Sequence, residues 1–161
     1  MIAEKAGTAT AALTRRLLSV TVEGVSMEPA FQDGDHVLVI RRRRPGPGQV
    51  VVVGSPFGKH GWREPPLPSR AAHCLVATRH SMIKRVVALP GDAVPHGPEP
   101  ANVSDERVPA GMAVLLGDDP SSGFDAREFG SFPVVRLLGV VRSPERRPAP
   151  SRAGMSRPAG R

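Results

Sequence analysis

Cysteine occurs once, at Cys74, so no internal disulfide can staple this chain. Tyrosine is absent, and aromatic residues make up only 4% of the sequence. Proteins that hold single strands of nucleic acid by stacking need exposed rings, so the composition argues against a binder of that kind. No apolar run approaches the roughly 18 residues that a spanning helix requires. No stretch of ten or more residues keeps a strong 3.6-residue period. The first residues lack the apolar core that follows a basic start in a secretory signal.

What is present is a chain of 161 residues, 40% apolar and 23% charged, which fits one globular domain. The formal net charge is +7. Six Arg and one Glu fall in residues 142–161, and Arg41 to Arg44 form a second basic cluster. The rest of the chain is therefore close to neutral. The high isoelectric point belongs to one tail and one turn, and no specific nucleic-acid partner is expected from it.

Short β-branched runs alternate with Gly and Pro along the chain. Strands are expected at 17–24, 36–40, 49–54, 73–80, 82–89, 112–117 and 134–141. Arg-rich and Pro-rich turns separate them, and a long loop covers 55–70. The expected fold is mainly β, a folded sheet or barrel with little helix. Residues 1–16 are read as an N-terminal flank, 17–142 as the folded domain and 143–161 as a disordered basic tail.

Two stretches carry chemistry. In Gly24-Val25-Ser26-Met27-Glu28-Pro29, Ser26 lies between a strand and a Pro-directed turn. Such a place exposes a hydroxyl and frees neighbouring N–H groups to hold an oxyanion. A serine beside a turn is more often a local hydrogen-bonding residue. In Met82-Ile83-Lys84-Arg85-Val86-Val87-Ala88, strand alternation places Lys84 on one face with Met82, Val86 and Ala88. A lysine among apolar neighbours loses hydration, its pKa falls, and its neutral amine can act as a base. The plainer reading is a lysine that snorkels at a sheet edge.

Other groups weigh less. His73, Cys74 and His80 are metal-ligand types, but adjacent strand residues face opposite ways, so no metal or other cofactor is expected. His36 opens a strand and ranks below Lys84 as a partner for Ser26. Asp118 and Asp119 read as turn formers. Trp62 and Phe57, in the long loop, are candidates for touching an apolar segment of a substrate or a membrane surface.

Taken together, the motifs resemble the bacterial type I signal peptidases. Ser26-Met27-Glu28-Pro29 with Asp33-Gly34-Asp35 is similar to that family's nucleophile box. Ile83-Lys84-Arg85-Val86 with Pro90-Gly91-Asp92 is similar to its lysine box. Gly117-Asp118-Asp119 with Asp125, Arg127 and Gly130 resembles its closing box. The blocks occur in the family's order across about residues 20–141. The resemblance implies a Ser–Lys serine endopeptidase on a β fold. Ser26 would be the nucleophile, Lys84 the general base and the Ser26 N–H the oxyanion donor. Asp125 and Arg127 would form an ion pair bracing the loop.

The chain departs from the family at several places. Gly24 stands where many members carry a serine that completes the oxyanion hole. Gly123 stands where a serine orients the lysine, and Ser122 or Ser121 is expected to replace it. Asp119 and Ala126 stand where Asn and Ser are usual. The resemblance also implies cytoplasmic-membrane association through an N-terminal anchor. With no spanning segment in this chain, the expectation is a protein acting in solution or held at the surface. The basic tail could then attract anionic lipid, although solvated disorder is its simpler reading. The expected partner is an extended peptide segment of a precursor, a signal peptide or leader with small residues before the cut. A dedicated soluble precursor-maturation protease is the first alternative. A non-catalytic basic binding module is the second. A self-cleaving repressor needs a DNA-binding domain, and 25 residues before Ser26 are too few to build one.

Overall fold

The computed structural model describes residues 16–57, 61–62, 64–68, 71, 75, 79–96, 101–122 and 124–142. The flank 1–15, the tail 143–161, His73, Cys74 and Gly123 lie outside these. The fold is mainly β, as the sequence implies. Seven strands follow in order: β1 (Leu17–Thr21), β2 (His36–Ile40), β3 (Val50–Gly54), β4 (Ser81–Ala88), β5 (Met112–Leu116), β6 (Phe132–Pro133) and β7 (Leu137–Arg142). They form one curled antiparallel sheet in the order β1-β2-β7-β3-β4-β5-β6.

Burial explains the strand patterns. In β3 the four valines are all buried, because both faces of this central strand are covered. Val51 and Val53 join a core with Val86, Val114, Leu115 and Phe132. Val50 and Val52 join a second core with Leu18, Val37, Val39, Met27 and Phe31. The sheet is thus a shared wall between two apolar layers.

Three expectations are corrected. The first strand ends at Thr21 rather than at Gly24, because the Val22 and Gly34 amides turn to the carbonyls of Asp35 and Val22 and close the next loop. The strand expected at 134–141 begins only at Leu137; Val134–Arg136 form a 3-10 turn after Pro133, whose fixed φ suits such an entry. The strand expected at 73–80 falls mostly outside the described residues, and Leu75 is helical. A short helix, α1 (Ala126–Phe129), has no helical period behind it, being a single turn. Trp62 is half-buried. Its ring lies edge-on to Phe132 at 6.1 Å and beneath Arg136 at 4.0 Å, a packing role for the loop.

Two strand edges are left open near one another. Among the described residues, β1 ends the sheet and pairs only with β2. β4 pairs with β3 from Ser81 to Arg85, whereas β5 joins it only from Arg85 onward. The other edge of Ser81–Lys84 therefore has no strand partner among the described residues. A cleft of about 630 Å³ lies between these edges, bordered by Ser19–Ser26 on one side and Arg79–Lys84 on the other.

Candidate active site

Ser26 is placed by the side chains around it. The loop 22–35 closes on itself through Val22 N to Asp35 O at 2.8 Å and Gly34 N to Val22 O at 2.9 Å. Met27 and Phe31 are buried in the second core, and the Phe31 amide donates to the Met27 carbonyl at 2.9 Å. Burying these two apolar side chains pins the turn and leaves Ser26, just before Met27, at the cleft wall. The N–H groups of Val25 and Ser26 donate to no protein acceptor among the described residues.

Gly24 shapes the entry to this turn. Its φ is +83°, and its N–H donates to Asp33 Oδ1 at 2.7 Å. A Cβ at Gly24 would meet open space, so the backbone conformation alone demands glycine. A serine at this place would be strained by the same positive φ. We expect Gly24→Ala to lower the unfolding free energy by about 1 kcal/mol. A thermal or denaturant melt checks this; an unchanged midpoint would show that the loop relaxes freely.

Lys84 is placed by strand register. It pairs with Val51 within the β3–β4 ladder, and its side chain shares a face with buried Val86 and Ala88. Only 2% of the residue is exposed. Lys84 Nζ and Ser26 Oγ are 2.8 Å apart in a hydrogen bond that spans 58 positions of sequence. Burial pushes the lysine pKa below its ordinary value. Asp125 opposes that shift, Arg127 adds to it, and Asp118 opposes it more weakly.

A third segment holds the pair together. Gly117 is buried where the chain leaves β5, and its N–H donates to Asp125 Oδ2 at 2.7 Å. Asp125 is fully buried and caps α1: its Oδ1 accepts from the Arg127 amide at 2.9 Å. Arg127 pairs with Asp125 at 3.1 Å and donates to the Gly117 and Pro120 carbonyls. The expected Asp125–Arg127 ion pair is therefore present. The Asp119 amide donates to the Ser26 carbonyl at 3.1 Å, tying this loop to the serine turn.

The comparison with known families can now be set beside this geometry. The family model described as signal peptidase, peptidase S26, matches residues 5–102. The chain belongs to this family. The matched span contains both Ser26 and Lys84 and ends before the 117–130 segment. Comparison with curated proteins finds no match. Members of the family are peptidases, so the cleft belongs to a peptidase.

Several candidates take other places in this S26 peptidase. Ser122 lines the cleft, but among the described residues no hydrogen bond joins it to Lys84; its amide turns to the Asp119 carbonyl at 3.3 Å. Ser121 is held by the Asp119 carboxylate, which accepts from both its N–H and its hydroxyl, and those bonds hold Asp119 below the usual carboxylate range. His36 bonds Thr21 Oγ1 at 3.2 Å, away from Ser26. Asp118 is more than a turn former. It takes Arg85 in a two-pronged pair at 2.7 and 2.6 Å, beside Lys84. That clamp was invisible in sequence because its partners lie 33 positions apart on β4 and the β5 loop. Arg41, read as part of a basic turn, is buried and donates to the Ala71 carbonyl at 2.7 Å. Among the described residues, no helix is long and apolar enough to cross a membrane.

Proposed function

We propose that this S26 peptidase is a Ser–Lys serine endopeptidase that removes signal peptides or leader segments from precursor proteins. The observation that carries the reading is the 2.8 Å contact between Ser26 Oγ and the buried Lys84 amine, whose pKa burial lowers from its ordinary value. With the amine neutral, the hydroxyl is the donor of that bond. Ser26 Oγ attacks the peptide carbonyl as its proton passes to Lys84 Nζ. The Ser26 N–H, without a protein acceptor among the described residues, supports the developing oxyanion. The intermediate collapses, the C–N bond breaks, and Lys84 returns the proton to the departing amine. A water then loses a proton to Lys84 and attacks the ester, releasing the leader carboxylate and restoring Ser26.

The two open strand edges favour an extended substrate. A leader segment adds as a strand between β1 and Ser81–Lys84, matching its N–H and C=O groups to theirs. Small residues at the first and third positions before the cut follow from the family resemblance. The basic tail 143–161 is proposed to hold the peptidase at anionic membrane surfaces, each Arg near the surface adding about 1 kcal/mol. A soluble maturation protease for one dedicated precursor uses the same chemistry, and the precursor's identity separates the two.

Cleavage of leader peptides across pH tests the base assignment. The reaction needs the unprotonated amine, so the rate falls about tenfold per pH unit below the Lys84 pKa. The midpoint of this limb should lie below the ordinary lysine value. Asp118 raises the Lys84 pKa, so Asp118→Asn should move the limb to lower pH. A limb at the ordinary lysine value, or one that moves upward in Asp118→Asn, contradicts Lys84 as the base.

A further inference from the structure

The cleft is not uniform along its length. Its two long walls, Ser19–Ser26 and Arg79–Lys84, mix polar side chains with apolar ones such as Val20, Val22 and Met82. Beside Ser26 and Lys84 it is bordered by Val25 and Phe124, which are 51% and 42% exposed. These two side chains come from separate loops, one carrying the nucleophile and the other joining β5 to α1. Single exposed apolar residues are ordinary, but two that line the cleft holding the Ser26 hydroxyl form a patch with a location. The Phe124 ring is also fixed. It stands edge-on to Phe129 with ring centres 4.6 Å apart, and Phe129 packs against the core. A ring held in place loses little entropy when a ligand covers it.

The position of the patch along a bound peptide follows from the strand edges. A leader added beside Ser19–Val22 and Ser81–Ile83 fills the long arm of the cleft and brings its last carbonyl to Ser26. The residue across the cut bond then leaves the long arm at the Val25–Phe124 end.

We propose that Phe124, with Val25, forms a subsite selecting a bulky apolar side chain on the first residue after the cut bond. This rests on the Ser–Lys leader-peptidase reading above. It adds a substrate class: precursors whose mature part begins with a residue such as Leu, Ile, Met or Phe. Covering a phenyl ring with an aliphatic side chain removes apolar area from both, enough for about a tenfold preference over Ala.

A proteome-derived peptide mixture, digested with the full chain and sequenced by mass spectrometry, tests this. Bulky apolar residues should be enriched about tenfold directly after the cuts. Phe124→Ala should bring that ratio near one, and Phe124→Leu should restore most of it. Because the readout is a ratio between peptides, a general loss of activity through α1 would not imitate it. An even distribution after the cut in the unmodified enzyme overturns the subsite. So does enrichment before the cut only, or a ratio that survives Phe124→Ala. Cuts with no such preference that still depend on Ser26 leave the peptidase reading standing and remove only the subsite. Failure of the unmodified enzyme to cut any peptide removes both.

Discussion

Ser26→Ala and Lys84→Ala should each reduce leader-peptide cleavage by about 10⁴-fold or more while leaving the fold intact. The two losses should not add, because in the proposed mechanism hydroxyl and amine act in one proton transfer. Lys84→Arg is the sharper case. It keeps the positive charge, yet guanidinium does not deprotonate in a protein and cannot take the Ser26 proton. It should therefore be as inactive as Lys84→Ala. A role for Lys84 as a mere cation would instead leave Lys84→Arg partly active.

Stability moves differently in the same series. The folded protein binds the Lys84 proton less tightly than the unfolded chain, because burial disfavours the ammonium. Between the depressed folded value and the ordinary lysine value, the unfolded state carries more protons, so stability rises with pH. Lys84→Met removes that rise and should leave a flatter stability–pH curve. Denaturant melts across neutral to alkaline pH read this directly. A curve equally steep in Lys84→Met would mean that another group produces the slope.

Gly117→Ala should cost about 100-fold in kcat/KM. A Cβ at this position would lie 2.7 Å from the Ser26 carbonyl oxygen, 3.4 Å from Asp125 Oδ2 and 3.5 Å from Lys84 Nζ. The nearest atom is backbone, so it cannot swing away as a side-chain end can. The serine turn and the 117–119 loop must separate by several tenths of an ångström. That motion pulls on the Asp119 amide contact with Ser26 and on the 2.8 Å Ser26–Lys84 bond. Because both dyad side chains remain, the loss should appear chiefly in kcat, with the pH limb still present. Unchanged kcat would mean that the turn has slack which this packing does not suggest.

Most of the fold was legible because it rests on short-range signals. Alternation and β-branching marked β2, β3 and β5 nearly to the residue, and Gly and Pro marked their ends. The pairing of Ser26 with Lys84 was legible only through the resemblance, since nothing local links positions 58 apart. Alternation put Lys84 on a face with Met82, Val86 and Ala88, but the plainer local reading was a snorkelling lysine at a sheet edge, and the structure buries it instead. The Asp118–Arg85 clamp and the burial of Arg41 depend on register between distant segments, and no local pattern encodes register. The helix α1 was missed because four residues cannot display a period. Asp125 two positions before Arg127 was nonetheless a readable cap signal. Gly117 appeared in the closing motif, but its close approach to Ser26 required the packed structure.

The most direct measurement is to trap the covalent intermediate. A slowly hydrolysed ester of a leader-like peptide, quenched in acid and digested with trypsin, should leave its acyl group on residues 17–41. Fragmentation distinguishes Ser26 from Ser19 and Thr21 within that segment. The acyl mass should sit on Ser26, and Lys84→Ala protein should carry none. An acyl group on another side chain, or steady turnover with no covalent species at any time point, would contradict the account.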